Sequence, residues 1–562
     1  MSNPRRSGTP SSRARTADAG TGVGGLGSIS SPVSNKPPAP GRQAYPEGSK
    51  PKPAGPAPTT TTPPRKQETR KPGKLGRRPE TLPAGTPTRK PKPGQRPPIQ
   101  PRVANTGDIA RDAAAAHLAL SAEAYPNLDL RDLILPTGLD RRDAALAHAI
   151  VDAATKRWVT LERLIAKGCR QPTTKLQPTV RGALLAGAAQ IVLLERVPAH
   201  AALNHAVEWT KRSLGSGAGG LVNAVLRRVA EFVGPRVPMP EDWWLSRRHI
   251  PLPDGRALQL SADVLPEEEV HLLAASTGVP RAVLLVWANS LGVPEARRLA
   301  LHTVQIPPAI INNEADKNPK ADHQTRPHDL PGHLVWQGEP GALATWLSAH
   351  PRCWVQDPAS AHVVRFLKKT ITTAPKTIAD LCAGQGTKTR QLAHHFPAAQ
   401  VIATDIDTAR RATLAQTFDP KPGTSESPQP HAGVRAVEHA ALAAYAGWAD
   451  LVLLDVPCSN TGVLARRPEA KYRFGDHTLG QLMAVQRDIL TQGRATLKGP
   501  GALLAYSTCS LDERENRHAC DWACAKLSLE LVADERTLPQ GTPAAGPQSY
   551  TDGSYVALLR AK

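Results

Sequence analysis

Cysteine is scarce in this chain of 562 residues, which contains seven cysteines and no Cys-x-x-Cys pair. Cys520 and Cys524 lie four residues apart in a segment with helical character, but neither has a His or Cys partner at the spacing of a zinc site. We therefore expect no metal site. Sparse cysteines without a regular spacing also indicate a reducing compartment, so we expect a cytoplasmic protein.

Long apolar runs are missing as well. No run reaches the about 18 apolar residues that a helix needs to cross a bilayer. The first residues also lack the apolar core of a secretion signal. The sequence therefore predicts neither a membrane span nor a membrane partner.

Acidic and aromatic residues are nearly absent from the first 104 residues. This part carries 20 Lys and Arg against 4 Asp and Glu, so it holds +16 of the net charge of +21, and it contains 22 of the 55 prolines. Such a segment cannot bury enough apolar area to offset the entropy lost on ordering. We predict a disordered, basic, Pro-rich tail over residues 1–106. Its charge favours loose contact with RNA phosphates, and a solubilising tail is the alternative.

Three further parts precede the C-terminal region. Residues 107–235 are rich in Ala and Leu at helical spacing, which predicts an all-helical domain. Residues 236–266 are Pro-rich and poorly patterned, so we interpret them as a linker. Residues 267–350 have mixed character and are interpreted as an N-terminal subdomain of the module that follows.

Strand and helix patterns alternate over residues 351–562, which predicts a mostly parallel sheet with helices on both faces. In such a sheet, ligands bind beyond the carboxyl ends of the strands. A loop containing Gly384 and Gly386 follows the first strand of this part, and Asp405 ends the next strand. Glycines allow close approach of a ligand, and an acid at this spacing bonds a ribose hydroxyl. Together they predict a cofactor that contains adenosine.

Two other predicted strands each end on a cysteine. "ADLVLLDVPCS" delivers Asp455 and Cys458, and "GALLAYSTCS" delivers Cys509. Buried cysteines often act only as small apolar residues, which is the structural alternative. Two thiols and an acid beside a cofactor, however, match the needs of cytosine methylation at carbon 5. A thiolate adds to carbon 6, an acid takes up charge at the ring, and a base later removes the carbon-5 proton.

Several segments resemble successive motifs of the RsmB/Sun family of RNA cytosine-carbon-5 methyltransferases. They are "WVQDPASAHVV", "DLCAGQGTKT", "TDID", "LLDVPCSNTGVLARRPEAKYR" and "YSTCSLDERENR". "PAHAALNHAVEWTKR" and "GLVNAVLRRV" resemble the NusB-type RNA-binding domain that precedes the catalytic domain in this family. The resemblance covers about residues 108–562. It implies an all-α NusB-like domain followed by a Rossmann-like α/β domain that uses S-adenosylmethionine, and we expect a monomer.

The resemblance also implies roles for individual residues. Cys509 is the expected nucleophile, Cys458 is expected to assist product release, and Asp455 is expected to contact the target base or the cofactor. The residues expected to hold S-adenosylmethionine are Cys382, Ala383, Gly384, Gln385, Gly386, Thr387, Lys388, Asp405 and Asp455.

Two departures from the family pattern concern the cofactor. The usual loop reads Cys-Ala-Ala-Pro-Gly-Gly-Lys, whereas here Gln385 replaces Pro and Thr387 replaces Gly. Because Thr does not adopt positive φ cheaply, we expect a reshaped loop. The family also has an acid after the third strand, for which this sequence offers Glu438 or His439.

The sequence therefore predicts methylation of carbon 5 of a cytosine in RNA, with small-subunit rRNA as the leading substrate. A tRNA substrate is one alternative. A non-catalytic RNA-binding or antitermination factor, with the helical domain as its active part, is another.

Overall fold

The computed structural model describes residues 105–128, 133–316, 322–418 and 433–562. The predicted tail lies outside these residues except for its last two positions. Thr106, at this end, donates its backbone N–H and its hydroxyl to the carboxylate of Asp112, both at 2.8 Å.

Six helices form the first part of the described chain, as the apolar periodicity predicts. They are α1 (Ile109–Ala124), α2 (Arg141–Lys156), α3 (Trp158–Gly168), α4 (Pro178–Leu193), α5 (Ala199–Leu214) and α6 (Ser216–Phe232). Helix α4 is buried along almost its whole length and forms the centre of this domain. Its Gly182 packs against α1 so closely that an added Cβ would lie 2.4 Å from the backbone nitrogen of Ala119. Small residues therefore let the helices approach one another.

The structure corrects the prediction of a linker over residues 236–266, because it forms a three-stranded antiparallel sheet in this region. Its strands are β1 (Val233–Pro238), β2 (His249–Pro251) and β3 (Arg256–Leu260), in the order β1-β3-β2. Ile250, Leu258 and Leu265 are buried in the same hydrophobic core as the six helices. Strands of three to six residues, two of them containing proline, are too short to show a clear period in the sequence.

A mixed module follows, with helices α7 (Glu269–Thr277), α8 (Arg281–Leu291), α9 (Val293–His302) and α10 (Leu343–Ala349). Its four-stranded sheet contains β4 (Ile310–Asn312), β5 (Thr325–Pro327), β6 (His333–Trp336) and β7 (Trp354–Val355), in the order β5-β6-β4-β7. Strand β7 lies just beyond the predicted boundary at residue 350. Across the described residues, no single helix is long and apolar enough to cross a membrane. Helices α7 and α8 meet that criterion only as a pair, by length and composition, and are bent by 116°.

The C-terminal part contains the predicted α/β sheet. Its strands are β8 (Thr377–Asp380), β9 (Gln400–Ala403), β10 (Val434–Ala436), β11 (Leu451–Asp455), β12 (Leu503–Thr508), β13 (Leu529–Thr537) and β14 (Ser554–Ala561). Their order is β10-β9-β8-β11-β12-β14-β13. Among these seven strands, β14 alone runs in the direction opposite to the other six. Helices α11 (Pro358–Thr370), α12 (Thr387–His395) and α13 (Thr408–Phe418) cover one face. Helices α15 (Asp476–Thr496) and α16 (Arg517–Lys526) cover the other, and the short α14 (Ala470–Arg473) precedes α15.

The mostly parallel sheet with helices on both faces is thus confirmed. Parallel pairing brings the carboxyl ends of β8, β9, β11 and β12 to one edge, with Asp455 directly opposite Ser507. The loops that carry the predicted cofactor and thiol residues all leave the sheet at this edge.

Candidate active site

The glycine loop after β8 turns through two residues with positive φ. Gly384 has φ 58° and Gly386 has φ 85°. A Cβ at Gly386 would also lie 2.5 Å from the ring of Phe418, so this position requires glycine for two reasons. Thr387 is the first residue of α12 and therefore needs no positive φ. The replacement of Gly by Thr at 387 does not strain the loop.

Asp405 ties this loop to the end of β9. One carboxylate oxygen accepts the N–H of Gly384 at 3.0 Å, and the other accepts the N–H of Asp407 at 2.9 Å. Asp405 is only 4% exposed. It first shapes the cofactor loop, and any contact with a ribose would be added to that role. The neighbouring Ile406 is 78% exposed and lines the cavity beside Asp405, an apolar contact that sequence reasoning missed.

Asp380, the last residue of β8, was not singled out from the sequence as a ligand-binding residue. One of its oxygens accepts the hydroxyl of Thr389 at 2.7 Å. The other has no hydrogen-bond partner among the described residues, although the side chain is completely buried. Burial raises the pKa of this carboxyl to about 7. Asp380 lines a cavity of about 400 Å³ together with the glycine loop, so its free oxygen suits an N–H donor of a ligand.

Lys388 and Asp455 form a partly buried ion pair between the glycine loop and the thiols. The Lys388 ammonium donates to Asp455 at 2.7 Å, and Ser507 donates its hydroxyl to the other oxygen at 2.7 Å. Burial alone would lower the pKa of Lys388, but the neighbouring acidic groups, with Asp455 first among them, together raise it. Lys388, which the resemblance assigns to the cofactor, thus contacts Asp455, which the resemblance assigns to the target base or the cofactor.

The two cysteines at the strand ends meet. The sulfur atoms of Cys458 and Cys509 are 3.1 Å apart, and Cys509 also donates to the side-chain oxygen of Asn460 at 3.2 Å. Cys458 is buried and Cys509 is half-buried. The hydrogen bond with Cys509 and burial raise the pKa of the Cys458 thiol well above its usual value. Cys509 is therefore the more accessible of the two cysteines, and the raised pKa of Cys458 favours its protonated form.

Hydrogen bonds from buried polar groups fix the two loops that carry Cys458 and Cys509. Glu515 accepts the N–H of Ser459 at 2.9 Å and the side-chain amide of Gln486 at 3.0 Å. Thr461 accepts the N–H of Leu511 at 2.9 Å, which ties the loop of Cys458 to that of Cys509. The spacing of the thiols is thus fixed by a network rather than by the two cysteines alone.

The thiols and the cofactor loop face one connected space. A cavity of about 1250 Å³ is lined by Cys458, Cys509 and Asp405, and it shares Lys388 and Asp455 with the smaller cavity at the glycine loop. Cys382 lines both cavities, and burial raises the pKa of its thiol well above the usual value.

The structure also separates the two candidates for the acid after the third strand. His439 lines the larger cavity. The side chain of Glu438 is 76% exposed and pairs with Arg411 at 3.1 Å. His439 is therefore the better placed of the two.

Comparison with known proteins finds a family match for two parts of the chain, the helical domain and the C-terminal α/β part. Residues 110–231 match the NusB family, and residues 371–559 match the family described as 16S rRNA methyltransferase RsmB/F. This chain joins a NusB-family domain to an RsmB/F-family methyltransferase domain.

Curated relatives of this NusB–RsmB/F chain cover most of its length. A protein of Xanthomonas campestris pv. campestris is 29% identical over 477 residues, which is 81% of this chain and 98% of the relative. One of Klebsiella pneumoniae is 28% identical over 431 residues, 73% of this chain and 87% of the relative. Both are named ribosomal RNA small subunit methyltransferase B.

A solved structure supports the fold of the RsmB/F-family chain. The crystal structure of PH0851 matches with a TM-score of 0.55 and 18% identity, and the match covers 83% of this chain and 99% of that one. At this identity the likeness concerns the fold alone. Within the described residues of the RsmB/F-family chain, no cluster of three or more His, Cys, Asp or Glu side chains could hold a metal ion.

Proposed function

We propose that this RsmB/F-family chain uses S-adenosylmethionine to methylate carbon 5 of a cytosine in small-subunit rRNA. The pair of thiols 3.1 Å apart, in a cavity continuous with the glycine loop, carries the proposal. The choice of rRNA is supported by the family description and by the names of the relatives.

The residues around the glycine loop fit S-adenosylmethionine. Gly384 and Gly386 bring the backbone close to a ligand, and the unpartnered oxygen of Asp380 suits the cofactor's ammonium group. Asp405 and the exposed Ile406 offer a polar and an apolar contact for the adenosine part. When bound, the cofactor supplies an electrophilic methyl group. The protein's own task is to activate the cytosine and hold it in place.

Cys509 is the nucleophile in this proposal. Its thiol gives its proton to solvent and the thiolate sulfur bonds to carbon 6, and the electron pair displaced from the carbon 5–carbon 6 double bond makes carbon 5 nucleophilic. Lys388 lines the same cavity as Cys509 and pairs with Asp455. The Lys388 ammonium, held by Asp455, offers a cation to offset the negative charge that develops on the ring.

Cys458 acts in release. After methyl transfer, carbon 5 must lose its proton so that the carbon 5–carbon 6 double bond re-forms and the bond from carbon 6 to Cys509 breaks. Cys458 gives its proton to the departing sulfur 3.1 Å away and recovers one from carbon 5. Its raised pKa keeps the thiol protonated until that step.

The test uses the two single variants with labelled cofactor and rRNA transcripts. Cys509→Ala should abolish both methyl transfer and the covalent protein–RNA adduct. Cys458→Ala should still attack but release slowly, so an adduct should accumulate on denaturing gels. Cys524→Ala, which removes a half-buried thiol from α16, serves as the control and should behave like the wild type.

The roles are wrong if Cys458→Ala turns over normally while Cys509→Ala still traps RNA. Parallel reactions with tRNA transcripts distinguish the alternative substrate. Absence of methyl transfer to either RNA, in a protein that binds both, would favour the non-catalytic RNA-binding factor.

A further inference from the structure

The loop that carries Cys458 continues to the surface of the NusB-family domain. We define residues 458–475 as the catalytic segment; it connects β11 to α15. Cys458, Asn460, Arg467 and Arg473 of this segment line the large cavity. The segment contains only one short helix, α14, so contacts with other parts of the chain must fix its path.

Helix α14 is hydrogen-bonded to the last turn of α2, more than 300 residues earlier in the chain. The Tyr472 hydroxyl donates to the backbone oxygen of Thr155 at 2.6 Å. The Lys471 amine donates to the backbone oxygen of Lys156 at 2.6 Å. Backbone carbonyls in the last turn of a helix have no N–H donor within the helix, and here Lys471 and Tyr472 of α14 provide the donors. Burial lowers the pKa of Lys471 well below its usual value, which reduces the cost of enclosing this amine.

The ring of Tyr472 belongs to the core of the NusB-family domain. It packs at 5.8 Å from the ring of Tyr125 and at 6.4 Å from that of Trp158, and these two rings stack on each other at 5.3 Å. Tyr472 is 6% exposed and is counted within the same hydrophobic cluster as the six helices. A residue of the catalytic segment thus completes the core of another domain.

The other side of this contact is itself held in place. We call residues 155–158 the α2–α3 junction. Within it, the buried Arg157 donates to the backbone oxygen of Ser276 in α7 at 2.6 Å. Gly278, at the end of α7, packs so closely that an added Cβ would lie 2.8 Å from the oxygen of Lys156. The junction, which belongs to the helical domain, is therefore also held by contacts with the module that follows.

We propose that the NusB-family domain is a structural part of the catalytic site, and that Tyr472 and Lys471 are positioning residues that hold the catalytic segment through the α2–α3 junction. The residue after Tyr472 is Arg473, which lines the cavity, so a shift of α14 moves a wall of the site directly. The inference rests on the proposed methylation only for its activity readout. Small displacements of reacting groups are enough to slow a reaction strongly.

The variants remove the polar contacts while keeping the packing. Tyr472→Phe retains the aromatic ring, and Lys471→Met retains most of the buried volume. Tyr125→Phe is the matched control, because it removes a hydroxyl from the same aromatic cluster and leaves both carbonyl contacts in place. Calorimetry with S-adenosylhomocysteine and thermal unfolding should show that all three proteins are folded and bind the cofactor product within twofold of the wild type.

Single-turnover methylation of rRNA should fall about tenfold in Tyr472→Phe and in Lys471→Met, but less than twofold in Tyr125→Phe. The rate of alkylation of Cys509 by iodoacetamide, followed by peptide mass spectrometry without RNA, should change at least threefold in the first two variants only. The second readout does not depend on methylation. If the wild type methylates no RNA, the proposed function fails while the alkylation rates still test the positioning. Rates within twofold of the wild type in both assays, for both variants, would overturn the inference.

Discussion

Replacement of Asp405 should weaken cofactor binding, because this residue both shapes the glycine loop and lines the proposed cofactor cavity. Its carboxylate accepts the N–H groups of Gly384 and Asp407, and it also lines the cavity proposed for the cofactor. Asp405→Ala removes the acceptor for both N–H groups and any bond to a ribose hydroxyl. The loop that contains Gly384 then loses one of its contacts with the end of β9, so cofactor affinity should fall for two reasons.

The size of the effect follows from the charge on the acceptor. A hydrogen bond to a charged group contributes about 1.5–3 kcal/mol. Loss of one such bond to the ribose therefore predicts roughly 10- to 150-fold weaker binding, and relaxation of the glycine loop would add to this. Asp405→Asn should also weaken binding, because its NH₂ group must face one of the two backbone N–H donors.

The assay is calorimetric titration with S-adenosylhomocysteine, supported by thermal unfolding of each variant. Asp407→Asn is the control: Asp407 is exposed, and its side chain accepts the N–H of Arg410 at 2.9 Å near the start of α13. It should bind within twofold of the wild type. Unchanged affinity in Asp405→Ala would refute the assignment of this residue to the cofactor.

The remaining predictions concern the third strand and the tail. His439→Ala should weaken binding of S-adenosylhomocysteine severalfold, whereas Glu438→Ala should not, because Glu438 is directed to Arg411 at the surface; equal effects in calorimetry would contradict this choice. Deletion of residues 1–104, which carry +16, should weaken RNA binding most at low salt and flatten the dependence of log affinity on log salt. The deletion should leave the modified cytosine unchanged, and methylation mapping that shows a moved position would make the tail a specificity element.

The fold and the arrangement of the strand ends could be predicted because they depend on local patterns. Alternating strands and helices imply a parallel sheet, and parallel strands bring their carboxyl ends together. These patterns predict that Cys458, Cys509 and Asp455 lie at one edge of the sheet, and the register of β11 against β12 agrees with this prediction. The loop after β8 could also be predicted, because Gly384 and Gly386 are recognisable in the sequence as glycines that follow a strand.

The contacts that depend on packing could not be predicted. In the sequence, Asp380 is simply the last residue of a predicted strand. It becomes a candidate ligand contact because its carboxyl is buried and one of its oxygens has no hydrogen-bond partner among the described residues. The bond from Tyr472 to Thr155 joins residues 317 positions apart, and no sequence period connects them.

This contact changes how a truncation must be interpreted. Removal of the helical domain would expose the ring of Tyr472 and leave the Lys471 amine without its acceptor. A loss of methylation after that truncation would therefore combine lost RNA docking with a displaced catalytic segment. The variants Tyr472→Phe and Lys471→Met separate these effects better than deletion of residues 107–235.

Bisulfite sequencing of rRNA and tRNA from a deletion strain tests the central claim most directly, because it reports both the RNA and the modified position. We expect one cytosine of the small-subunit rRNA to lose its resistance to bisulfite in the deletion strain. The wild-type gene should restore that resistance, and the gene encoding Cys509→Ala should not. A change confined to tRNA would contradict the proposed substrate, and full restoration by Cys509→Ala would contradict the covalent mechanism.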